Sequence, residues 1–117
     1  MINTKPSRAA EKAWFERITE FGCVITGQSN IDRHHSVGRE GKQNKFYIGR
    51  WFVLPLAKHL HEIKSPHNLN ITHHRKAFIA EYGLESELFK KMCRKLAEDG
   101  PLPFGEDVIA AIMATGR

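Results

Sequence analysis

Near the start of the chain, apolar side chains recur with the period of a helix. Ala10, Trp14, Ile18 and Phe21 are spaced four, four and three apart, which puts them on one face. Pro6 suits a first helical turn and Gly22 a stop, so the pattern predicts a packing helix over residues 6–21. The pattern then changes. Residues 23–25 (CVI) and 31–36 (IDRHHS) flank the turn-rich TGQSN, which predicts a β-hairpin whose second strand ends in a histidine pair. Residues 37–49 carry three glycines and three Lys or Arg with no sustained period, the signature of an exposed, flexible, cationic loop.

The run Trp51, Phe52, Val53, Leu54 has the look of a buried segment, and Pro55 after it fits the first position of a short helix reaching Lys64. Ser65 and Pro66 end that helix. Another is expected from a cap at Asn70 or Thr72 to Tyr82, with Gly83 as its stop. In residues 85–99 Leu88, Met92 and Leu96 repeat every four positions, predicting a helix closed by Gly100. The stiff connector PLPF leads to a last helix over residues 106–114. No repeat or low-complexity tract interrupts the chain. The expected class is α+β and mostly helical.

Composition narrows the field. At 117 residues with 41% hydrophobic content, a single domain with a modest core is expected. No apolar run approaches the roughly 20 residues of a membrane span, and the N-terminus lacks an apolar signal core, so a cytoplasmic location is expected. Cys23 and Cys93 lie far apart and form neither a disulfide framework nor a four-cysteine zinc site; they read as small buried hydrophobes. Eighteen Lys and Arg against thirteen Asp and Glu give a net charge of +5, which favours a polyanionic partner such as DNA.

Seven histidines stand out in so short a chain, and they cluster: His34 with His35; His59, His61 and His67; His73 with His74. Metal binding by this protein therefore falls to imidazoles. Hairpin, loop and helix in that order can bring imidazoles from two elements to one cation, the arrangement of a ββα-metal (His-Me finger) nuclease. Phosphodiester hydrolysis needs a cation to neutralise charge developing on the phosphate and a base to deprotonate water. Neutral histidine suits the second task. Because neighbouring strand residues point apart, His34 and His35 divide naturally into one ligand and one base. His59 and His61 lie about 200° apart around a helix, so one of them faces the hairpin, and His61 is the choice. His67 would approach from the turn after the helix.

DRHHSVG, the LPLAKHLH segment, His67 and RKAFIAEYGLESELF together resemble the HNH-type nuclease domain of the phage recombination-enhancement proteins called Ref, which are RecA-dependent nucleases. The likeness spans roughly residues 23–96 and rests on the order of these pieces. By this resemblance His34 binds the metal and His35 is the general base. His61 and His67 complete the metal site, which holds Mg or Mn for turnover or Zn as a retained ion. The resemblance further implies DNA cleavage in phage or prophage recombination, with RecA filaments as a partner. The cysteine pairs that hold a structural zinc in related domains have no counterpart: Gly27 stands four positions after Cys23, and the helix segment carries Ala57 and Leu60. Where an acidic or amide residue normally precedes the helix stand Arg50, Trp51 and Phe52, with Asn44 of the loop as a candidate substitute.

The expected layout is one domain over residues 1–117: an N-terminal packing helix (1–22), a ββα-metal unit (23–67) and C-terminal helices (68–117). Arg33, Arg39, Lys42, Lys45 and Lys58 are candidate DNA contacts as a group. His59 is a further ligand, a donor behind the ligands or a surface residue, while His73 and His74 are expected on an exposed helix face. Trp14, Trp51, Phe52, Phe78, Tyr82 and Phe89 are assigned to the core. The competing reading is a non-catalytic DNA-binding module whose histidines hold a structural zinc.

Overall fold

The computed structural model describes residues 4–117. Its elements run α1 (Arg8–Phe21), β1 (Ile31–His35), β2 (Lys42–Gln43), β3 (Phe46–Tyr47), β4 (Val53–Ala57), α2 (Lys58–His61), α3 (Arg75–Tyr82), α4 (Glu85–Asp99) and α5 (Glu106–Ala114). This is an α+β globule with two small antiparallel sheets, β1–β4 and β2–β3. No helix of the described residues is long and apolar enough to cross a membrane.

Helix α1 begins two residues after Pro6, because Ser7 caps it: its Oγ accepts the Ala10 N–H at 3.1 Å. The buried face holds Trp14 and Ile18, and the Trp14 indole donates to the Trp51 carbonyl at 3.0 Å. Gly22 ends the helix at φ 88°, where an added Cβ would press within 3.1 Å of the Gly27 and Gln28 carbonyl oxygens.

The expected hairpin of residues 23–25 with 31–36 does not form. Residues 24–26 are a turn, closed by Cys23 N–H to Gln28 O and Gly27 N–H to Cys23 O, both at 2.9 Å. β1 instead pairs with β4, in register from Ile31 opposite Ala57 to His35 opposite Val53. The reason is burial. Every residue of β4 is buried, against β1, α1 and α4, and each Val or Leu so placed is worth about 1.5–3 kcal/mol over exposure. That gain outweighs the preference of Pro55 for a helix start.

Pro55 is accommodated because the two-stranded sheet leaves β4 at an edge, where a missing donor is tolerated. Its carbonyl accepts the Val24 N–H at 3.1 Å, a backbone bond that ties the 23–25 segment to β4. The helix expected over 55–64 shrinks to the one turn of α2.

Residues 37–49 are more ordered than their composition suggests. β2 and β3 form a small hairpin, Lys42 opposite Tyr47, through a two-residue turn in which Asn44 (φ 53°) and Lys45 (φ 69°) are both left-handed. Tyr47, Ile48 and Gly49 are buried, and the Tyr47 hydroxyl donates to the Arg39 carbonyl.

Helix α3 starts at Arg75, later than a cap at Asn70 or Thr72 would give. Buried Asn70 explains the delay. Its Oδ1 accepts the Thr72 and His73 N–H groups, and its Nδ2 donates to the carbonyls of His59 and Glu62, pinning the turn to α2. Helices α4 and α5 have the bounds the periodicity predicts. The core joins Trp14, Phe52, Phe78 and Phe89, with Phe104 of the PLPF connector edge-on to Trp14 at 5.1 Å and to Trp51 at 5.2 Å. Tyr82 is only half-buried, packed edge-on to Phe78, and both cysteines are buried and unpaired.

Candidate active-site cleft

β1 alternates its side chains, with Asp32 and His34 on one face and Arg33 and His35 on the other. Its outer edge is unpaired, so groups from both faces flank a single cleft of about 350 Å³. Asp32, Arg33, His35, Arg39, His61 and Phe15 are among the residues lining it.

On the Asp32 side, α2 follows β4 directly and carries its last residue, His61, back over β1. The His61 and His34 rings meet edge to face with centroids 5.2 Å apart. Each imidazole is held by a carboxylate. His61 donates its Nδ1–H to Asp32 Oδ2 at 3.0 Å, and His34 donates its Nε2–H to Glu85 Oε1 at 2.7 Å. This leaves His34 Nδ1 and His61 Nε2 uncommitted among the described residues.

Asp32 also receives Lys58 Nζ at 2.8 Å. Burial works to raise the Asp32 carboxyl, but the hydrogen bonds and charges of Lys58 and His61 outweigh it and hold the group below the usual carboxylate range. Glu85, with no solvent exposure, opens α4 and also accepts Ser36 Oγ at 2.7 Å and Arg75 Nε at 2.9 Å. There too burial pushes the carboxyl up, and the bonds from His34, Ser36 and Arg75 bring it down.

His35 lies on the opposite face of the strand, its ring edge-on to Phe15 at 5.9 Å. Its Nε2 is buried and has no hydrogen-bond partner. Burial first, then the charges of Arg39 and Arg33, depress its pKa below the ordinary histidine value and favour the neutral ring. The Arg33 guanidinium stacks over Phe15, 4.5 Å from the ring centroid, and Arg39 stands 3.9 Å from Glu11.

The other residues singled out in the sequence are dispersed. His67 packs its ring on His59, centroids 5.0 Å apart, and its Nδ1 accepts the Leu69 N–H at 3.1 Å. The structure thus brings His34 to His61 and His67 to His59. His73 donates from Nε2 to the Ile63 carbonyl at 2.7 Å, and its ring lies 6.4 Å from that of His74. Lys58 is committed to Asp32, while Lys42 and Lys45 belong to the β2–β3 hairpin, which packs on α5 with Asn44 in its turn.

Asp32, His61, His34 and Glu85 form a line of side chains linked in pairs. No group of three or more His, Cys, Asp or Glu among the described residues is arranged to hold a metal ion. The donor chemistry still fits part of such a site: two imidazoles, each oriented by a carboxylate at one ring nitrogen and free at the other, are the usual preparation for metal ligation.

Asp32, Ser36, Arg75 and Glu85 were not among the expected site residues. Asp32 had a signal, since it sits two before His34 and strand periodicity places the pair on one face. Glu85 had none, being 51 residues from its partner. Comparison with protein-family models, curated proteins and solved structures gives no match.

Proposed function

We propose that the protein is a metal-dependent endonuclease that hydrolyses DNA phosphodiester bonds in this cleft, with β1, β4 and α2 as a ββα-metal unit. The observation that carries the reading is the placement of His35. His35 lines a cleft walled by Arg33 and Arg39, its buried Nε2 without a partner, next to a carboxylate-backed pair of imidazoles.

Arg33 and Arg39 draw a phosphate into the cleft and hold its oxygens. The His35 imidazole takes the proton from the attacking water as the water oxygen bonds to phosphorus and the P–O bond to the leaving oxygen breaks. His34 and His61 would hold the divalent ion through Nδ1 and Nε2, and a bound ion supplies charge neutralisation at the phosphate and leaving oxygen. Asp32 and Glu85 fix the orientation of those two rings. His67 is the third ligand implied by the family likeness; its ring would have to leave His59 to serve.

The test is plasmid nicking with Mg, Mn or Zn, on duplex, single-stranded and RecA-coated DNA. Nicking is expected with at least one ion, and His35→Ala should lower its rate by roughly 10²–10⁴. His34→Ala and His61→Ala should abolish ion-stimulated nicking, whereas His67→Ala should have a smaller effect. Full cleavage by His35→Ala, or none with any ion and substrate, would overturn the assignment.

A further inference from the structure

Away from the cleft, α4 carries a second cationic surface. Lys90, Lys91, Arg94 and Lys95 occupy neighbouring positions over adjacent turns, with members four apart rising about 6 Å along the axis. None of them takes part in an ion pair among the described residues, while Arg39, Arg50, Lys58 and Arg75 all do. Like charges four apart on a helix repel, so this clustering carries a cost that packing does not require.

The cations rim a groove. Phe21, Val24, Leu88 and Met92 make an apolar floor, and Lys91, Arg94 and Lys95 stand around it, enclosing about 260 Å³. A second hollow of about 210 Å³ adjoins it, where Lys90, Lys91 and Arg94 face one carboxylate, Glu87.

We propose that this groove seats single-stranded nucleic acid, with backbone phosphates on the Lys90–Lys95 cations and an unstacked base on the apolar floor. Charge complementarity selects a polyanion. The floor selects the kind, because a single strand offers both a flat apolar base and an adjacent phosphate, while a duplex keeps its base faces stacked away. An acidic peptide would satisfy the rim and leave the half-buried Phe21 and Val24 without a partner. The seat does not depend on hydrolysis in the cleft. It lies on the helix that starts with Glu85, the residue holding His34, and Lys91 is about 9 Å farther along the axis.

The experiment is fluorescence anisotropy with a labelled oligothymidine of about a dozen nucleotides. Chelator is present so that no cleavage occurs, and failure of the seat is thereby separated from failure of the nuclease reading. Replacing Lys91, Arg94 and Lys95 together by Gln should weaken binding by about tenfold or more and reduce the slope of log affinity against log salt by about 2. An abasic oligomer of equal length should bind the wild-type protein at least about fivefold more weakly than oligothymidine. The same loss of three charges at Arg8, Lys12 and Lys76 should have a much smaller effect, with circular dichroism confirming that both variants fold. The proposal is overturned by unchanged affinity and slope in the α4 variant, by equal weakening in the control variant, by equal binding of the abasic strand, or by an acidic peptide competing as well as the oligonucleotide.

Discussion

His34 and Glu85 meet at 2.7 Å across 51 residues of sequence, joining the strand that carries the histidine pair to the first turn of α4. The Glu85 carboxylate is fully buried and also holds Ser36 and Arg75, so it is a structural junction as well as the group that orients His34. Removing one partner of a buried, bonded charge group leaves the others uncompensated. Glu85→Ala is therefore expected to destabilise the fold by about 3 kcal/mol or more, and Ser36→Ala by about 1 kcal/mol, both measured by urea denaturation.

Asp32 should behave differently. Its carboxylate is part-exposed and pairs with Lys58 and His61, and such ion pairs contribute little to stability. Asp32→Asn should change unfolding free energy by less than about 1 kcal/mol. In the proposed site it orients His61, so the same substitution should weaken the apparent affinity for the activating ion by about 10–100-fold, read from nicking rate against ion concentration. An unchanged ion dependence would separate Asp32 from the chemistry.

Gly49 is locked by backbone. An added Cβ would lie 2.5 Å from the carbonyl oxygens of both Gly38 and Arg39, and those oxygens are not the ends of flexible side chains. Gly49→Ala should cost about 1–3 kcal/mol by forcing the 38–39 segment outward. Because Arg39 moves with that segment, the variant should also cleave more slowly at temperatures where it remains folded. A nicking rate equal to wild type would show that Arg39 has no part in holding the phosphate.

Cys93 gives an alkaline signature. Burial pushes its thiol up to about 12 from an ordinary value of 9.0. With the folded pKa raised, the stabilising difference is intact below pH 9, where both states keep the proton. Above pH 9 the unfolded chain ionises first, so stability falls by about 1.4 kcal/mol per pH unit until the folded thiol also ionises near pH 12. Urea midpoints measured from pH 8 upward should show this slope. Cys93→Ala, though less stable overall, should show a shallower one.

How legible the molecule was in its sequence can be judged element by element. Helices α1 and α4 were readable because a period near 3.6 and a terminal Gly are local signals, α5 because the PLPF connector marks its start, and nothing in the tertiary structure opposes them. The identity of β1 as a strand ending in His34 and His35 was readable for the same reason. Its partner was not. Residues 23–25 are nearer in sequence, but the apolar Val53–Ala57 run needs two covered faces, and only pairing with β1 under α1 and α4 supplies them.

The site divides along the same line. Sequence alone determined which side chains could do acid–base or metal chemistry, since residue type fixes that, and it determined that adjacent strand histidines must serve opposite faces. Tertiary structure decided which of them meet. It joined His61 to His34, left His67 with His59, and brought in Glu85 and Asp32 as the carboxylates behind the rings. The physical reason is that a side chain's chemistry belongs to the residue, whereas its neighbours depend on how distant apolar segments find cover from water.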